Sequence, residues 1–510
     1  MPFSQNRESR SRLRHLWFAG LCAFSFLALP AFAAEVGAAQ PLAPVTTEYA
    51  GGWNQQRRAD TASQLRQRQT DRLDDWLNAG QARYESGQLE DMELWRAYSV
   101  FWLVDEPALE AVFDEWVSRR PGSYAARMAR GSYLMGAGWR ARGSEYTAQT
   151  PPHRFARMQS YFGKARADFE ASLKLTRKPT TALAALIDIA GTEGDRARRE
   201  AYFTEALRID RHAQSPRYEH IGYLLPKWGG SYAGMERFVE ASRGDLDAKH
   251  LGALAGMIPA DQANELELAA NRDPKANPKW VESALALVDQ AIALGPGHAA
   301  FHSQQASLLA RLGRKAEALE ALGRALELSD APGHYLRRGM VLAETGRHAE
   351  AVADLQNAAE LGDRYAQQRL GWGYRMGDYG LRKNPAEALK WFRRVAEWGD
   401  NYAQHMVGDL LHEGAGGKPD SAEAAKWYRL AAEDGYAPAQ GNLGALYWNG
   451  IGVVQDRWTA MRWWGKAAAQ GDANAQRNID HLLNPFQKAW VWFLTAAAEP
   501  LRVLLRRWLG

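Results

Sequence analysis

The sequence predicts an all-α fold, an α/α superhelix of stacked helical hairpins, and three observations predict it. Gly362, Gly399, Gly435 and Gly471 recur at intervals of 37, 36 and 36 residues, and five positions after each stand Gln367, Gln404, Gln440 and Gln476, every one preceded by alanine. Upstream, Ala284, Ala318 and Ala351 recur at 34 and 33 residues, in step with Ala291, Ala325 and Ala358. Farther back still, Phe169, Leu173 and Leu175 are echoed 34 residues later by Phe203, Leu207 and Ile209. A period of this length marks a helical hairpin that cannot bury its apolar face alone and must stack on its neighbours.

Residues 1–33 carry a basic head (Arg7, Arg10, Arg12, Arg14), an apolar run from Leu16 to Leu29 broken by Ser25, and the small-x-small phrase Ala31-Phe32-Ala33. This is the pattern of a secretory signal peptide, so the mature chain is expected in the periplasm. A retained anchor is disfavoured, because the run falls short of the ~20 apolar residues a span needs. Cys22, the only cysteine, leaves with the signal, so neither a disulfide nor a thiol ligand is expected. Of the net charge of +4, the four arginines against Glu8 account for +3 and leave +1. That balance gives no support to nucleic-acid binding.

Residues 34–85 open Pro/Ala/Gly-rich and continue Gln- and Arg-rich, which predicts a leader and one surface helix. Residues 86–262 alternate helix and turn. Pro107 opens a helix whose Leu109, Val112, Phe113, Trp116 and Val117 form one stripe, ended by Arg119-Arg120-Pro121-Gly122. The adjacent carboxylates Asp74-Asp75 and Glu90-Asp91 are expected on solvated faces. Two phrases here are not explained by packing: Arg127-Met128-Ala129-Arg130-Gly131 with Trp139-Arg140-Ala141-Arg142-Gly143, and Leu225-Pro226-Lys227-Trp228-Gly229-Gly230-Ser231. Together they resemble a bacterial family known as domain of unknown function 4034, a resemblance that implies no particular chemistry. Arg127, Arg130, Trp139 and Arg142 are candidates for a groove that takes a carboxylate or phosphate. Lys227, Trp228, Gly229 and Gly230 are candidates for an anion-holding loop, with a rigid inter-helix turn favoured because P-loop spacing is missing.

Residues 263–361, with Leu312-Gly313 and Thr345-Gly346 at their turns, resemble tetratricopeptide repeats. The leading helix of the first unit is expected to be spoiled by Asp273-Pro274 and Asn277-Pro278. Some members of that family clamp a terminal carboxylate, but the comparable inner positions here are Ala300, Ser303 and Ser307, which argues against a clamp. His298 and His302 have metal-friendly spacing, yet Ala299 stands where a zinc protease needs glutamate, so no metal site is expected.

Residues 362–482 repeat most strictly. Ala388, Ala424 and Ala460, then Trp391, Trp427 and Trp463, then Ala396, Ala432 and Ala468 fall 36 apart. The tryptophans are read as core. Asn384, Asp420 and Asp456 start the second helices as caps; Glu387 and Glu423 complete capping boxes, and Thr459 in that place predicts a weaker start. Gly377 and Gly380, Gly414 and Gly417, and Gly450 and Gly452 are loop glycines suited to positive φ. With Leu370-Gly371, Leu443-Gly444, Trp391-Phe392 and Trp427-Tyr428, this stretch resembles the Sel-one-like repeat. The resemblance implies a superhelix used for protein–protein interaction. Non-repeating residues at matched positions of the first helices (Arg375, His412 and Trp448; Met376, Glu413 and Asn449) are the candidate partner-binding surface.

Residues 483–510 form a tail in which Leu501, Leu504, Leu505 and Trp508 stripe one side, with Arg502, Arg506 and Arg507 off it. With Trp490 to Leu494, residues 488–510 could touch a membrane surface. A cap over the open end of the last hairpin is favoured. The whole reads as an exported, non-enzymatic scaffold for a partner protein or peptide, with no cofactor. The rivals are an enzyme or ligand-binding site in the amino-terminal half, and a peripheral membrane scaffold held by the tail.

Overall fold

Helical hairpins follow one another through a computed structural model that describes residues 55–143, 150–272, 277–488 and 491, and no strand occurs among the described residues. The predicted signal peptide, the leader before residue 55, the Asp273-Pro274 pair and the tail beyond Val491 lie outside the described residues. Two compact units meet at residue 366 and are taken in turn.

The first unit opens with α1 (Gln55–Arg66), α2 (Thr70–Glu85), α3 (Asp91–Trp102) and α4 (Glu110–Arg119). The hairpins α5 (Tyr124–Arg142) with α6 (Pro152–Ser172) and α7 (Thr180–Thr192) with α8 (Arg196–Ile209) follow. Then come α9 (Ser215–Gly222) and α10 (Tyr232–Ser242), and three more hairpins: α11 (Ala248–Arg272) with α12 (Asn277–Leu294), α13 (Ala299–Arg311) with α14 (Lys315–Leu328), and α15 (Pro332–Glu344) with α16 (His348–Glu360). The predicted stripe of Leu109, Val112, Phe113, Trp116 and Val117 is buried throughout.

Two expectations need correction here. α2 is not a surface helix: Leu73, Leu77 and Tyr84 are buried. Asp74 is buried with them and accepts from Trp116 Nε1 at 2.8 Å, Ser123 Oγ at 2.5 Å and Arg120 Nη1 at 3.1 Å. Asp91 is buried as well, and its carboxylate accepts from the backbone N–H groups of Gln214 at 2.9 Å and Ser215 at 2.8 Å at the start of α9. Successive helical residues point about 100° apart, so in each pair one member faces inward while its neighbour stays outside.

α3 lies along the inner side of this unit, touching α5, α7 and α9. Glu90, just before it, stands 3.5 Å from His250 Nε2 on α11. At its other end Arg140 Nη1 donates to the Trp102 carbonyl at 2.7 Å, and a Cβ on Gly362 would come within 2.5 Å of the Leu103 carbonyl oxygen. The leading helix before the tetratricopeptide-like hairpins is not spoiled. α11 runs unbroken to Arg272 across Pro259, and Pro278 sits in the first turn of α12, where a missing N–H costs nothing. The boundary expected at 262/263 therefore falls inside α11.

The second unit follows in α17 (Arg364–Met376), α18 (Pro385–Ala396), α19 (Asn401–Glu413), α20 (Ser421–Glu433), α21 (Ala437–Asn449), α22 (Arg457–Ala468) and α23 (Ala473–Leu482). Each recurring feature has a cause. Gly399, Gly435 and Gly471 end the second helices at φ of 89°, 94° and 87°, the left-handed conformation that closes a helix. Buried Gln404 and Gln440 reach back from the next helix to the Ala396 and Ala432 carbonyls at 3.2 and 3.0 Å. Those carbonyls also accept the N–H groups of Gly399 and Gly435 as the helix closes, so each glutamine fills their second acceptor site.

The cap side chains Asn384 and Asp420 accept from the N–H groups of Glu387 and Glu423. Their own N–H groups do not go to those glutamates but to the preceding helix: Asn384 to Tyr374, Asp420 to Leu411 and Asp456 to Tyr447, all at 2.8–2.9 Å. Thr459 does not weaken the third start, because its hydroxyl donates to Asp456 Oδ2 at 2.7 Å.

The repeat tryptophans need a correction too. Trp391 is buried, but Trp427 and Trp463 are only partly so. The fully enclosed aromatic is the next residue, Phe392, Tyr428 or Trp464, which packs on Gly371, Gly408 or Gly444. Four residues after the repeat alanine is the inward direction of these helices, whereas three places the indole at the rim.

Candidate functional site

The first helices of the second unit (α17, α19, α21 and α23) carry both the predicted partner-binding residues and an open groove. Two of the predicted residues meet: Arg375 Nη2 donates to Glu413 Oε1 at 2.6 Å, with Nη1 3.8 Å from Asp409 Oδ2. The Arg375 guanidinium also lies 5.7 Å above the Trp372 ring. The others serve their own hairpins. His412 Nδ1 is 2.9 Å from Ser421 Oγ, Trp448 packs on Trp464 with centroids 5.3 Å apart, and Asn449 Nδ2 donates to the Ala445 carbonyl at 2.9 Å. Met376 is half exposed.

The groove, about 280 Å³, lies nearer the N-terminal ends of these helices, at positions the sequence reading passed over. His405 on α19, Gly441, Asn442 and Ala445 on α21, and Asp472 and Asn478 at α23 line it. Asn442 Nδ2 donates to His405 Nε2 and to Asp409 Oδ1, each at 3.1 Å, while Tyr428 donates its hydroxyl to the same Asp409 oxygen at 2.7 Å. Burial holds the His405 imidazole below its ordinary range, against the pull of Asp409. Asp472 spends Oδ1 on the Ala475 N–H as the α23 cap. One available signal was Gly441, a helix-interior glycine outside the repeat phrase.

In the first unit the candidate cations Arg127, Arg130 and Lys227 are already paired with carboxylates. Arg130 makes two 2.7 Å bonds to the buried carboxylate of Asp168, Arg127 adds one at 3.3 Å, and Asp114 takes Arg130 Nη1 at 3.0 Å. Arg142 is buried with its guanidinium 5.9 Å from the Trp139 ring and 5.7 Å from Phe155, and Trp139 stands edge-on to Phe162. Burial brings the Arg140 guanidinium down to about 10.

Lys227 Nζ is 3.1 Å from Asp261 Oδ1, and Tyr232 donates to the other oxygen at 3.0 Å. Trp228 ends a short 3-10 turn, and Gly229 follows at φ 87°. A Cβ on Gly230 would come within 1.9 Å of the Leu224 carbonyl oxygen, so the phrase is a close-packed turn whose cation is spent internally.

Asp188 on α7 and Glu219 on α9 form a carboxyl pair that sequence order could not reveal. Burial raises both, and Tyr223 donates to Asp188 Oδ1 at 2.6 Å. No group of three or more potential metal ligands occurs among the described residues. His302 Nε2 is instead 2.8 Å from the Pro296 carbonyl, and His298 stacks between Tyr218 and Phe301. Val491 packs in the core with Ile479 and Leu483, a contact of the kind a cap makes. No described helix is long and apolar enough to cross a membrane.

Comparison with known proteins fits this geometry. The Sel1 repeat model matches residues 364–400, 401–436 and 437–472, each one hairpin, and the domain of unknown function (DUF4034) matches 57–195, from within α1 to the end of α7. No curated protein matches the chain. Among solved structures, a Sel1 repeat protein from Oxalobacter formigenes is 26% identical over 45% of this chain and 96% of its own, with a TM-score of 0.33. The protective antigen c5321 of uropathogenic Escherichia coli strains, which displays an SLR fold, is 18% identical over 85% of this chain and 93% of its own (TM-score 0.36). YrrB, a TPR protein with an unusual peptide-binding site, is 23% identical over 38% and 97% (TM-score 0.29). Sel1 repeats generally mediate protein–protein interaction. The chain is thus an all-α protein of stacked hairpins that carries a DUF4034 region in its amino-terminal half and three Sel1 repeats toward its carboxyl end.

Proposed function

We propose that this chain is a non-enzymatic scaffold that docks a partner protein on the first-helix face of its Sel1 repeats, and that it does so outside the cytoplasm after losing residues 1–33. The observation that carries the reading is a repeating frame with a non-repeating face. Phe392, Tyr428 and Trp464 pack alike on Gly371, Gly408 and Gly444, while one groove-side position changes from His405 to Gly441 to Arg477 in successive repeats. A constant interior with a variable surface is what recognition of one partner needs. The internal pairing of Arg130 with Asp168 and of Lys227 with Asp261 supports the scaffold reading over the enzyme one.

The test places a photo-crosslinking amino acid at His412, Trp448 or Asn442, and at exposed Lys426 on α20 as control, in cells expressing the full chain. A discrete crosslinked protein is expected from the first-helix positions and not from Lys426. Equal or absent crosslinking would defeat the reading. N-terminal sequencing of the same protein checks export, with Ala34 expected as the first residue.

A further inference from the structure

We infer that the groove between α19, α21 and α23 takes an extended peptide segment with a small residue over Gly441 and a cationic group beside Asp472. The inference rests on the docking reading and names the chemistry of the partner. It begins with a glycine that packing does not require. Within α17, α19 and α21, a Cβ on Gly371, Gly408 or Gly444 would stand 2.6–2.7 Å from an aromatic ring, so those positions must stay bare. Gly441 is different. A Cβ there would meet only Asp472 Oδ1 at 3.6 Å, an ordinary contact, and its φ is not positive. A glycine inside a helix costs about 1 kcal/mol relative to alanine. Gly441 is buried beside the Asp472 carboxylate, and its bareness keeps the groove wider at that point than any side chain would.

The polar lining says what that backbone offers. Both amide hydrogens of Asn442 are spent, on His405 and Asp409, so its Oδ1 is left to accept. Asp472 keeps Oδ2 after capping α23 with Oδ1. Asn478, the residue matched to Asn442 one repeat later, makes no side-chain hydrogen bond among the described residues and can both donate and accept. The groove is therefore rich in acceptors and carries a carboxylate, so its occupant supplies N–H donors and positive charge.

An extended polypeptide does this with its main chain, and the spacing agrees. Neighbouring packed helices lie about 8–10 Å apart. An extended chain advances about 3.3 Å per residue, so about three residues span from Asn442 to Asn478.

The test is selection of displayed random octapeptides on the full chain, then fluorescence anisotropy with the selected sequences. Enriched peptides are expected to share a glycine, alanine or serine with a lysine or arginine close by. Gly441→Leu, which fills the floor, and Asn478→Ala, a change on the helix surface, should each weaken binding about tenfold. Replacing one peptide amide by an ester should weaken binding to the wild type and not to Asn478→Ala, which identifies a main-chain contact.

Acid-rich selections, no selection, or peptides indifferent to both Gly441→Leu and Asn478→Ala would overturn the proposal. The docking reading fails separately. A partner crosslinked from His412 or Trp448 that survives Gly441→Leu keeps the docking face and removes this groove from it.

Discussion

Gly408 lies so close under Tyr428 that a Cβ placed on the glycine would stand 2.6 Å from the phenol ring. Gly408→Ala should therefore force the ring out of its slot and cost about 1–3 kcal/mol, as overpacking does. Gly441→Ala, about one turn before Gly444, the counterpart of Gly408 in the next repeat, should instead raise stability by about 0.5–1 kcal/mol. Paired thermal melts check the opposite signs. Two changes of the same sign would refute the distinction between packing glycine and groove glycine.

Gln404 should prove structural although it is polar. Its Nε2 gives the Ala396 carbonyl a second donor, beside the Gly399 N–H, from a buried position. Gln404→Leu should lower stability by about 0.5–1.5 kcal/mol, the net worth of one hydrogen bond. Urea denaturation monitored at 222 nm, far-UV ellipticity against denaturant, reads this directly. At Gln476, exposed on α23, the same change should have little effect.

Asp168 neutralises Arg127 and Arg130 from a position only 2% exposed. Asp168→Asn should cost about 3 kcal/mol, because it strands charge in the interior. Asp114→Asn removes the exposed partner of the same Arg130 and should change stability by less than about 0.5 kcal/mol. Comparable losses at the two sites would show that burial does not set the cost.

His220, stacked 4.0 Å from Phe203 and buried, has its imidazole pushed down to about 4. An unfolded histidine titrates near about 6.5, so on acidification the unfolded chain takes up the proton first. Its contribution is therefore full above about pH 6.5 and drains away as pH falls toward 4. Between about pH 7.5 and about pH 5 the wild type should lose about 2 kcal/mol more than His220→Phe, carboxyl titrations being common to both. Thermal melts of the pair at both pH values measure it, and parallel losses would contradict the shift.

The hairpin architecture was legible because stacking imposes a period on the chain. Alanines at 388, 424 and 460 and glycines at 399, 435 and 471 each do one job that only a small or left-handed residue can do. The fate of charged groups was not legible. Asp74 and Asp91 look like surface residues until partners 42 and 124 positions away, Trp116 and Ser215, arrive to satisfy them. The same holds for Arg130 and Lys227, whose carboxylates come from other helices. The groove escaped notice because matched positions such as His405 and Gly441 differ from one repeat to the next, and periodicity finds only what recurs.

The placement of α3 has a consequence for how the first unit can assemble. Asp91 waits for Gln214 and Ser215, and the backbone at Leu103 for Gly362, so the contacts of a segment made early are with chain made far later. Closing loops of that length is entropically slow. A nascent or translocating chain can cover the apolar face of α3 once α5 has emerged, but it carries the Asp91 carboxylate and the Leu103 backbone without these partners until Ser215 and Gly362 follow. During that interval the start of α3 is the part left incomplete, and a product truncated before Ser215 would keep Asp91 without its backbone donors.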